Sequence, residues 1–366
     1  MLNDLLQAEL IACPVCRGMV DGQFIDHPLY MAQTLEQADG VVVQGFLGCR
    51  GCTVRHPIVD GVAIVFKNTA EWLRQQERPV LGRGDLDAAM SNWLANAWAD
   101  DQDPNWRRQM LGIYAQDLAG ESDRPHEFSK ALEATRQQTR AFIEQRQAAV
   151  VASLGDDPLV LDAGCAVGAS SLGLQRAGAR VIALDHDFGP LRMLATLLRE
   201  GSIEVPHWRA GGNDYSSTTV QLPAETDRSK IAVIASDATD PPFRPGIADA
   251  VTAYNVIDNV AEPVLLLRQL HAILKTGGTL ISSSPYDWVS RCTEPEHRLG
   301  ESIRADPKDG DAGRALIALL TGLLPSHAPE MSMTVQHEHP GLPWVLHRHD
   351  RSAHLFMSHY VEASKG

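Results

Sequence analysis

VLDAGCAVGASSLGLQRAGARVIALDHD, residues 160–187, contains two short apolar runs that flank a turn of small residues. The first run ends in Asp162 and the second in Asp185. Short apolar runs bounded by turn residues predict buried strands, and the longer segment between them predicts a helix. The stretch therefore predicts a strand–helix–strand unit with a carboxylate at the end of each strand.

Strands and helices continue to alternate downstream of this unit. KIAVIASD, ADAVTAYN and GTLISSS read as further strands, and the amphipathic segments between them read as helices. Such alternation is typical of a parallel, doubly wound sheet. We therefore predict an α/β fold with a Rossmann-like domain over residues 151–366, and a hairpin in the polar insert over residues 202–230.

The loop after the first strand is predicted to bind a nucleoside. Parallel sheets bind ligands at the carboxyl ends of their strands, and small loop residues let the backbone approach the ligand. The dinucleotide pattern G-x-G-x-x-G does not fit this loop. The pattern D-x-G-x-G-x-G, used for S-adenosylmethionine, fits Asp162-Ala-Gly164-Cys-Ala166-Val-Gly168 when Ala166 replaces the middle glycine.

Three acids at the ends of successive strands extend this prediction. Asp162 would lie near the amino group of the methionine part, and Asp185 would accept hydrogen bonds from the ribose. Asp237, just after the third strand, would accept one from the adenine amino group. Two other interpretations stay open: acids that only cap helices, and a nicotinamide dinucleotide site. The predicted cofactor contacts are Asp162, Gly164, Cys165, Ala166, Gly168, Asp185, His186, Asp237, Ala238 and Asn255.

With these motifs, residues 150–290 resemble the class I S-adenosylmethionine-dependent methyltransferases. The resemblance implies in-line transfer of a methyl group from a sulfonium to a nucleophile. Such a transfer needs alignment, desolvation and a nucleophile in the correct protonation state. Residues 254–260, YNVIDNV, lack the D/N-P-P-Y/F motif of enzymes that methylate the amino groups of adenine or glutamine. The absence of this motif disfavours those substrates.

A narrower resemblance concerns the acceptor. GCAVGAS, YNVIDNV, SPYDWVSRCTEPEHRLG and LPWVLHRHDRSAHLFMSHY together resemble the methyltransferase domain of ovothiol biosynthesis, over residues 114–360. That domain methylates an imidazole nitrogen of a thiolated histidine, so the resemblance implies a small polar acceptor with an imidazole nitrogen or a thiol. A neutral imidazole is available at about pH 7, whereas a thiol, with a pKa near ~8.5, would need a base.

Residues after the fourth and fifth strands are the predicted acceptor contacts. Asp258 would accept a hydrogen bond from the non-reacting N–H of the acceptor ring. The predicted catalytic residues are Tyr254, Asn255, Asp258 and Tyr286. The predicted substrate contacts are Tyr286, Trp288, His347 and His349, the two histidines sharing one face of a predicted strand. Cys165 and Cys292 are interpreted as packing residues.

Two C-x-x-C pairs near the start of the chain predict a metal site. LIACPVCRG and GCRGCTVRHPIVDGVAIVF supply four thiols that would close a tetrahedral structural zinc site: Cys13, Cys16, Cys49 and Cys52. A redox C-x-x-C is the alternative. ACPVC and HPIVDGVAIVF also resemble the small zinc-ribbon activators of tRNA and protein methyltransferases. That resemblance implies strand addition to a methyltransferase, either the chain's own catalytic domain or a second copy.

The composition sets limits on partners. The 366 residues are 44% apolar and 21% charged, and no apolar run approaches the ~20 residues of a membrane helix. The net charge of -14 argues against a binder of nucleic acid with a basic face. Residues 1–10 lack the basic start of a secretory signal, so we expect a cytoplasmic protein without a membrane partner.

Three segments and one leading function follow from these observations. We predict a zinc ribbon over residues 1–67, a helical connector over 68–150, and a methyltransferase domain over 151–366 with a C-terminal segment that covers the substrate. The connector carries four tryptophans: Trp72, Trp93, Trp98 and Trp106. The predicted function is methylation of a small polar metabolite. The alternatives are methylation of RNA or protein with the ribbon as docking element, and a binding protein without turnover; the ribbon could also mediate a homodimer or recruit another partner.

Overall fold

Parallel strands form the centre of a mixed sheet. The computed structural model describes residues 1–20, 23–76, 86–87, 89–90, 118, 127–208, 215–289, 292–349 and 351–366. The strands in this part of the chain are β1 (Gly18–Val20), β2 (Gln23–Ile25), β3 (Leu29–Ala38), β4 (Val41–Cys49), β5 (Arg55–Val59), β6 (Val62–Ile64), β7 (Leu159–Ala163), β8 (Arg180–Asp185), β9 (Ser202–Trp208), β10 (Tyr215–Gln221), β11 (Ile231–Ala235), β12 (Ala248–Tyr254), β13 (Leu274–Ser284), β14 (Met333–His349) and β15 (Ser352–Lys365).

Helices connect the central strands, and local capping explains where several of them begin. The described α-helices are α1 (Leu2–Gln7), α2 (Thr69–Gln75), α3 (Glu127–Ser153), α4 (Ala169–Arg176), α5 (Phe188–Glu200), α6 (Pro263–Ile273) and α7 (Ala312–Leu320). The Asp187 carboxylate accepts the Gly189 N–H at 3.1 Å where α5 begins, and Asp311 caps α7 in the same way. Among the helices described, none has both the length and the hydropathy of a membrane span.

The order of the large sheet is β14-β15-β13-β12-β7-β8-β11-β6-β5-β4-β3. Strands β13, β12, β7, β8, β11 and β6 are parallel to their neighbours in this series. The chain passes from β7 to β8 on one side and later returns to β12 on the other, which places a topological switch point beside β7. Ligands of doubly wound sheets bind at such a point. The α/β, Rossmann-like fold predicted from the sequence is confirmed.

The N-terminal strands extend the same sheet instead of forming a detached module. Strand β6 pairs in parallel with β11, with Ala63 opposite Ile234. The Val65 N–H then donates to the Ala235 carbonyl at 2.8 Å, and the Ser236 hydroxyl donates to the Val65 carbonyl at 2.6 Å. The predicted segment 1–67 is therefore joined to the predicted catalytic segment through backbone hydrogen bonds.

The predicted connector is described mainly at its two ends. Helices α2 and α3 lie within it, whereas most of residues 77–126, including Trp93, Trp98 and Trp106, lie outside the described part of the chain. Trp72 of α2 is buried and its indole N–H donates to the His186 carbonyl at 2.7 Å. Helix α2 therefore packs against the loop that follows β8.

Two antiparallel hairpins lie within the methyltransferase segment of the chain, one in the polar insert and one at an edge of the large sheet. Strands β9 and β10 pair antiparallel, which confirms the hairpin predicted in the polar insert. Strands β14 and β15 form a long hairpin at one edge of the sheet, and β15 pairs antiparallel with β13. Helix α3 packs on this hairpin, and the Arg146 guanidinium binds both carboxylate oxygens of Glu362 at 2.7 and 2.6 Å.

Candidate functional site

A cavity of about 630 Å³ opens at the carboxyl ends of β7, β8 and β12, beside the switch point. We call it the cofactor cavity, after the predicted cofactor contacts that line it. Nine of the ten predicted cofactor contacts line it: Asp162, Gly164, Cys165, Ala166, Asp185, His186, Asp237, Ala238 and Asn255. Gly168 is the tenth, and it lies behind the cavity wall as the left-handed N-cap of α4. The sheet therefore brings together residues that are far apart in the sequence.

The backbone of the glycine loop makes the cavity wall close-fitting. Gly164 has a φ of +74°, and a Cβ at this position would lie 2.2 Å from Cγ2 of Val256. Ala166, which replaces the middle glycine of the pattern, has a φ of +48°. Its N–H donates to the Asp185 carboxylate at 2.8 Å. The loop after β7 is therefore tied to the acid that ends β8.

Replacing Gly164 with alanine is expected to damage the cavity. The methyl group would strain a left-handed backbone and displace Val256, which together cost about 2 kcal/mol or more. We expect a lower thermal midpoint and at least a tenfold rise in the dissociation constant of S-adenosylmethionine, measured by calorimetry. Gly155→Ala is the matched control, because Gly155 also has a positive φ (+87°) but open space around it. Equal effects of the two variants would contradict the role of the Val256 contact.

Asp185 has the geometry of a hydroxyl acceptor. One carboxylate oxygen accepts the Ala166 N–H and the other accepts the Asp187 N–H, each at 2.8 Å. A carboxylate has about four acceptor positions, so both oxygens keep acceptor capacity for a ligand in the cavity. Burial raises the pKa of Asp185 to about 6, in spite of these two backbone donors.

Asp237 and His186 form the part of the cavity wall that lies nearest the N-terminal strands. One oxygen of Asp237 accepts both the N–H and the hydroxyl of Thr239, at 2.8 and 2.7 Å. This arrangement fixes the Asp237 side chain. The His186 ring stands edge-on to Phe66, with the ring centroids 5.3 Å apart, and burial lowers its pKa.

Asp162 is more enclosed than the sequence predicted. Its side chain is 1% exposed, and its oxygens accept hydrogen bonds from the hydroxyls of Ser171 and Thr252, both at 2.6 Å, and of Ser170 at 3.2 Å. Burial raises its pKa, while these hydroxyls oppose the shift. The observed role of Asp162 is to join β7, α4 and β12 beneath the cavity.

Of the predicted catalytic residues at the end of β12 and after it, two line the cavity and one is buried in the protein interior. Tyr254 and Asn255 line the cavity. Asn255 has a φ of +54°, and its side-chain oxygen accepts the Ser358 hydroxyl at 3.2 Å. Asp258 differs from the prediction that it contacts the acceptor: it is 1% exposed, and its carboxylate accepts the Asp287 N–H at 2.9 Å. Asp258 thus holds the loop after β13 in place.

The predicted substrate contacts lie in different surroundings. Tyr286 and Trp288 are half-buried on the loop after β13, with ring centroids 6.2 Å apart. His347 is buried beneath α3, where its Nε2 lies 3.6 Å from a carboxylate oxygen of Glu133. The side chain of His349 lies outside the described part of the chain. The structure therefore does not bring His347 to the cofactor cavity.

Several residues of this cavity were not predicted from the sequence, and two of them come from segments distant from the glycine loop. Trp344 of β14 and Cys292 both line the cofactor cavity. The sequence alone favours a packing role for Cys292. Trp344 belongs to a hairpin more than a hundred residues from the glycine loop. An aromatic residue within the C-terminal strand pattern was the only signal, and it did not indicate which face of the hairpin meets the cavity.

The four N-terminal cysteines converge as the spacing predicted. All four sulfur atoms lie within 4.8 Å of one another, with Cys16 and Cys49 at 3.4 Å and Cys13 and Cys52 at 3.8 Å. Four thiolates around a zinc ion at about 2.3 Å would be about 3.8 Å apart, so the cluster fits such an ion. The Gly51 N–H donates to the Cys49 sulfur at 3.2 Å, as in a metal-binding knuckle.

The surroundings of the cluster also favour a cation. Burial, followed by the neighbouring Cys49, raises the pKa of Cys13 to about 11, so four uncompensated thiolates would be unfavourable there. His56 is fully buried with its Nε2 3.7 Å from the Cys13 sulfur, and burial lowers its pKa to about 4. His27 Nδ1 lies 3.4 Å from the Cys16 sulfur. The His56 ring is therefore neutral, and both rings lie close enough to orient the sulfur ligands.

Known proteins share the domain that contains the cofactor cavity. Residues 161–282 match the model of a family described as a methyltransferase domain. A demethylmenaquinone methyltransferase of Thermobifida fusca is 35% identical over 134 residues, which are 37% of this chain and 45% of that protein. A ubiquinone biosynthesis O-methyltransferase of Xanthomonas campestris is 30% identical over 126 residues, 34% of this chain and 42% of that protein. The chain thus spans less than half the length of these relatives.

Solved structures are similar to this chain at low sequence identity and low TM-score. The magnesium protoporphyrin IX methyltransferase of Synechocystis PCC 6803 is 16% identical with a TM-score of 0.36, over 74% of this chain and 100% of that one. A chain from the complex between the Haloferax volcanii Trm112 methyltransferase activator and a methyltransferase is 12% identical with a TM-score of 0.39, over 72% and 99%. The family match and the relatives place a class I, S-adenosylmethionine-dependent methyltransferase domain at residues 161–282.

Proposed function

We propose that the whole chain is a methyltransferase that transfers the methyl group of S-adenosylmethionine to a small molecule. One observation carries the proposal: Asp185, Asp237 and the glycine-loop backbone face one cavity whose remaining wall includes Tyr254 and Asn255. The acids follow successive strands, so a nucleoside can meet all of them at once. A site built only for helix capping would not need this convergence.

The residues of the cavity fit the parts of the ligand. Asp185 accepts hydrogen bonds from the ribose hydroxyls, and Asp237 accepts one from the adenine amino group through the oxygen that Thr239 does not use. Asp162, through Ser170 and the β7 loop, shapes the end that receives the methionine part. S-adenosylmethionine, when bound, supplies a methyl group activated by the adjacent sulfonium. The chain's own contribution is to align the acceptor and exclude water.

The acceptor is a small molecule in this proposal, and two classes are compared. The sequence resemblance favours the imidazole nitrogen or thiol of a histidine-derived thiol. The names of the relatives add an oxygen acceptor of the kind used in ubiquinone biosynthesis. The net charge of -14 disfavours RNA as the substrate, so both acceptor classes are small molecules.

Calorimetry and product detection test the proposal directly. Purified protein is titrated with S-adenosylmethionine and, separately, with NADH. It is then incubated with S-adenosylmethionine and a panel of histidine thiols, imidazoles, catechols and hydroquinones, while formation of S-adenosylhomocysteine is followed. We expect binding of S-adenosylmethionine and turnover with one acceptor class. Heat from NADH alone would overturn the proposal.

We further propose that the cysteine cluster holds a structural zinc ion that supports the cofactor cavity. The support is the contact between the first knuckle and the loop that carries Asp237. Arg17 follows Cys16, donates to the carbonyls of Pro241 and Asp240 at 2.6 and 3.0 Å, and forms an ion pair with the Asp240 carboxylate. The ribbon-like segment therefore has its docking partner in the chain's own methyltransferase domain.

Arg17→Met tests this connection. The variant keeps the aliphatic stem but loses three hydrogen bonds of a charged group, each contributing about 1 kcal/mol or more. We expect the dissociation constant of S-adenosylmethionine to rise about three- to tenfold, measured by calorimetry, because the Asp237 loop loses its anchor. Arg50→Met is the matched control, since Arg50 follows Cys49 but is 63% exposed and pairs only with Glu9 in the described structure. Unchanged affinity in Arg17→Met would contradict the coupling.

A further inference from the structure

Three polar side chains, from the loop after β13 and from β15 and β14, form a hydrogen-bonded series. The Tyr286 hydroxyl lies 2.8 Å from Nδ1 of His359, and Nε2 of His359 lies 3.0 Å from a carboxylate oxygen of Glu338. A carboxylate can only accept, so Nε2–H of His359 donates to Glu338. Nδ1 of the neutral ring is then an acceptor, and the Tyr286 hydroxyl donates to it.

Packing holds this series in one geometry. His359 is 7% exposed and pairs with Ser284 across β15 and β13. A Cβ on Gly313 of α7 would lie 3.0 Å from Nδ1 of His359, so the absence of a side chain there makes room for the ring. Tyr286 has a φ of +55°, a conformation that costs free energy for a bulky residue and that places its ring against His359.

The series opens into a second cavity, of about 600 Å³. Tyr286, His359 and Glu338 line it, and so do two large apolar side chains: Leu323, 73% exposed, and Met357, 55% exposed. Exposed apolar side chains beside a cavity with a few convergent polar groups are typical of a site for a partly apolar small molecule.

The second cavity is linked to the cofactor cavity by direct hydrogen bonds. Ser358, which precedes His359, donates to Asn255 of the cofactor cavity at 3.2 Å. The residue after Tyr286 donates its N–H to Asp258, three residues beyond Asn255. The loop after β13 lines both cavities, with Cys292 in the cofactor cavity and Tyr286 in the second, and β14 does the same with Trp344 and Glu338.

The charges around Tyr286 keep its hydroxyl protonated. The acids Asp258, Asp311 and Glu338 face it, and the guanidinium of Arg314 is at the cavity rim. Burial first, and then these acids, raise the pKa of Tyr286. Tyr286 is thus suited to pass a proton on to His359 and not to act as a standing phenolate.

We propose that the second cavity binds the methyl acceptor, that this acceptor is an apolar molecule with an acidic hydroxyl such as a phenol or an enol, and that Tyr286, His359 and Glu338 remove its proton. This inference rests on the proposed methyltransferase function. The acceptor O–H proton moves to the Tyr286 oxygen while the Tyr286 proton moves to Nδ1 of His359. The products are an oxyanion and an imidazolium, which the Glu338 carboxylate stabilises. Glu338 is 48% exposed, so the proton can leave to water.

Ionisation of a bound phenol tests the inference without turnover. The probe is 4-nitrophenol, whose phenolate is yellow, added to full-length protein saturated with S-adenosylhomocysteine. We expect the phenolate-to-phenol ratio of the bound probe to exceed that of the free probe about tenfold at equal pH. Tyr286→Phe and His359→Gln should abolish the increase, and Glu338→Gln should reduce it. Calorimetry with S-adenosylmethionine and the thermal midpoint are measured for every variant.

The controls separate this inference from the function on which it rests. His297→Gln removes a histidine from another His–Glu pair, 3.1 Å from Glu262, and should leave the probe's ionisation unchanged. If Tyr286→Phe does not fold, the phenolate-to-phenol ratio in Glu338→Gln, a variant at a half-exposed position, tests the relay instead. Binding of S-adenosylmethionine without probe binding, or a phenolate increase that survives Tyr286→Phe, would overturn the relay and leave the methyltransferase proposal standing. Failure of S-adenosylmethionine to bind would overturn the methyltransferase proposal itself.

Discussion

Asp185→Ala will weaken the binding of S-adenosylmethionine by roughly two to three orders of magnitude. The variant removes the carboxylate that we propose as the acceptor of two ribose hydroxyls, and each such bond to a charged acceptor contributes about 1.5–3 kcal/mol. It also releases the Ala166 N–H, which Asp185 holds at 2.8 Å, so the glycine loop loses an anchor. Isothermal titration calorimetry measures the change.

The pH dependence of binding gives a second readout of the same residue. The pKa of Asp185 is raised to about 6 by burial, and only its ionised form accepts both hydroxyls. The affinity for S-adenosylmethionine should therefore be full above pH 6 and fall as the pH drops below it, approaching tenfold per pH unit. Asp185→Asn should bind weakly at every pH and lose this slope.

Glu200→Ala is the matched control for both experiments. Glu200 ends the helix that follows Asp185, and its side chain is 57% exposed beside Arg199. Its replacement removes an acid from the same strand–helix unit without changing the cavity. If Asp185→Ala bound S-adenosylmethionine as tightly as Glu200→Ala, the assignment of the ribose contact would be wrong.

The parts of the fold that the sequence predicts are those set by local patterns. The strands ending in Asp162 and Asp185 follow from short apolar runs and their turns, and each C-x-x-C pair sets the geometry of one half of the cysteine cluster. Each pattern lies within a few residues, so its geometry depends little on the rest of the chain. The convergence of strand ends then follows from the parallel sheet alone.

The parts that the sequence does not predict depend on pairing between distant segments. The resemblance of HPIVDGVAIVF implies strand addition to a methyltransferase, but it does not indicate that Ala63 pairs with Ile234 or that both strands belong to one chain, because backbone hydrogen bonds carry no side-chain identity. Trp344 reaches the cofactor cavity only because β15 pairs with β13 and carries β14 with it. Asp258 was predicted to contact the acceptor ring because its burial, which depends on the loop after β13 folding back over it, has no local signal in the sequence.

This continuous sheet changes what a metal ion at the cysteine cluster would do. In a detached module, loss of the ion would leave the catalytic domain intact. Here β6 is hydrogen-bonded to β11, and Arg17 beside Cys16 holds the loop that carries Asp237. Stability of the cluster and affinity for the cofactor are therefore expected to change together.

Removal of the metal will accordingly lower the thermal midpoint and the cofactor affinity in one step. Structural zinc sites contribute on the order of 10 kcal/mol in small domains. Even half of that value would lower the midpoint by about 6 °C in a chain of this size. The experiment treats native protein with a chelator, confirms metal loss by mass spectrometry, and measures thermal unfolding and calorimetry before and after zinc is restored.

Cys16→Ser and Cys292→Ser provide the matched pair for that experiment. Cys16 lies 3.4 Å from Cys49 in the cluster, whereas Cys292 lies outside it. We expect Cys16→Ser to reproduce the effect of the chelator and Cys292→Ser to keep the wild-type midpoint. A redox pair would behave differently, because its reduced form would tolerate the chelator. If the protein lost zinc and kept both its midpoint and its affinity, the ion would have no structural role, and Arg17 would hold the Asp237 loop without it.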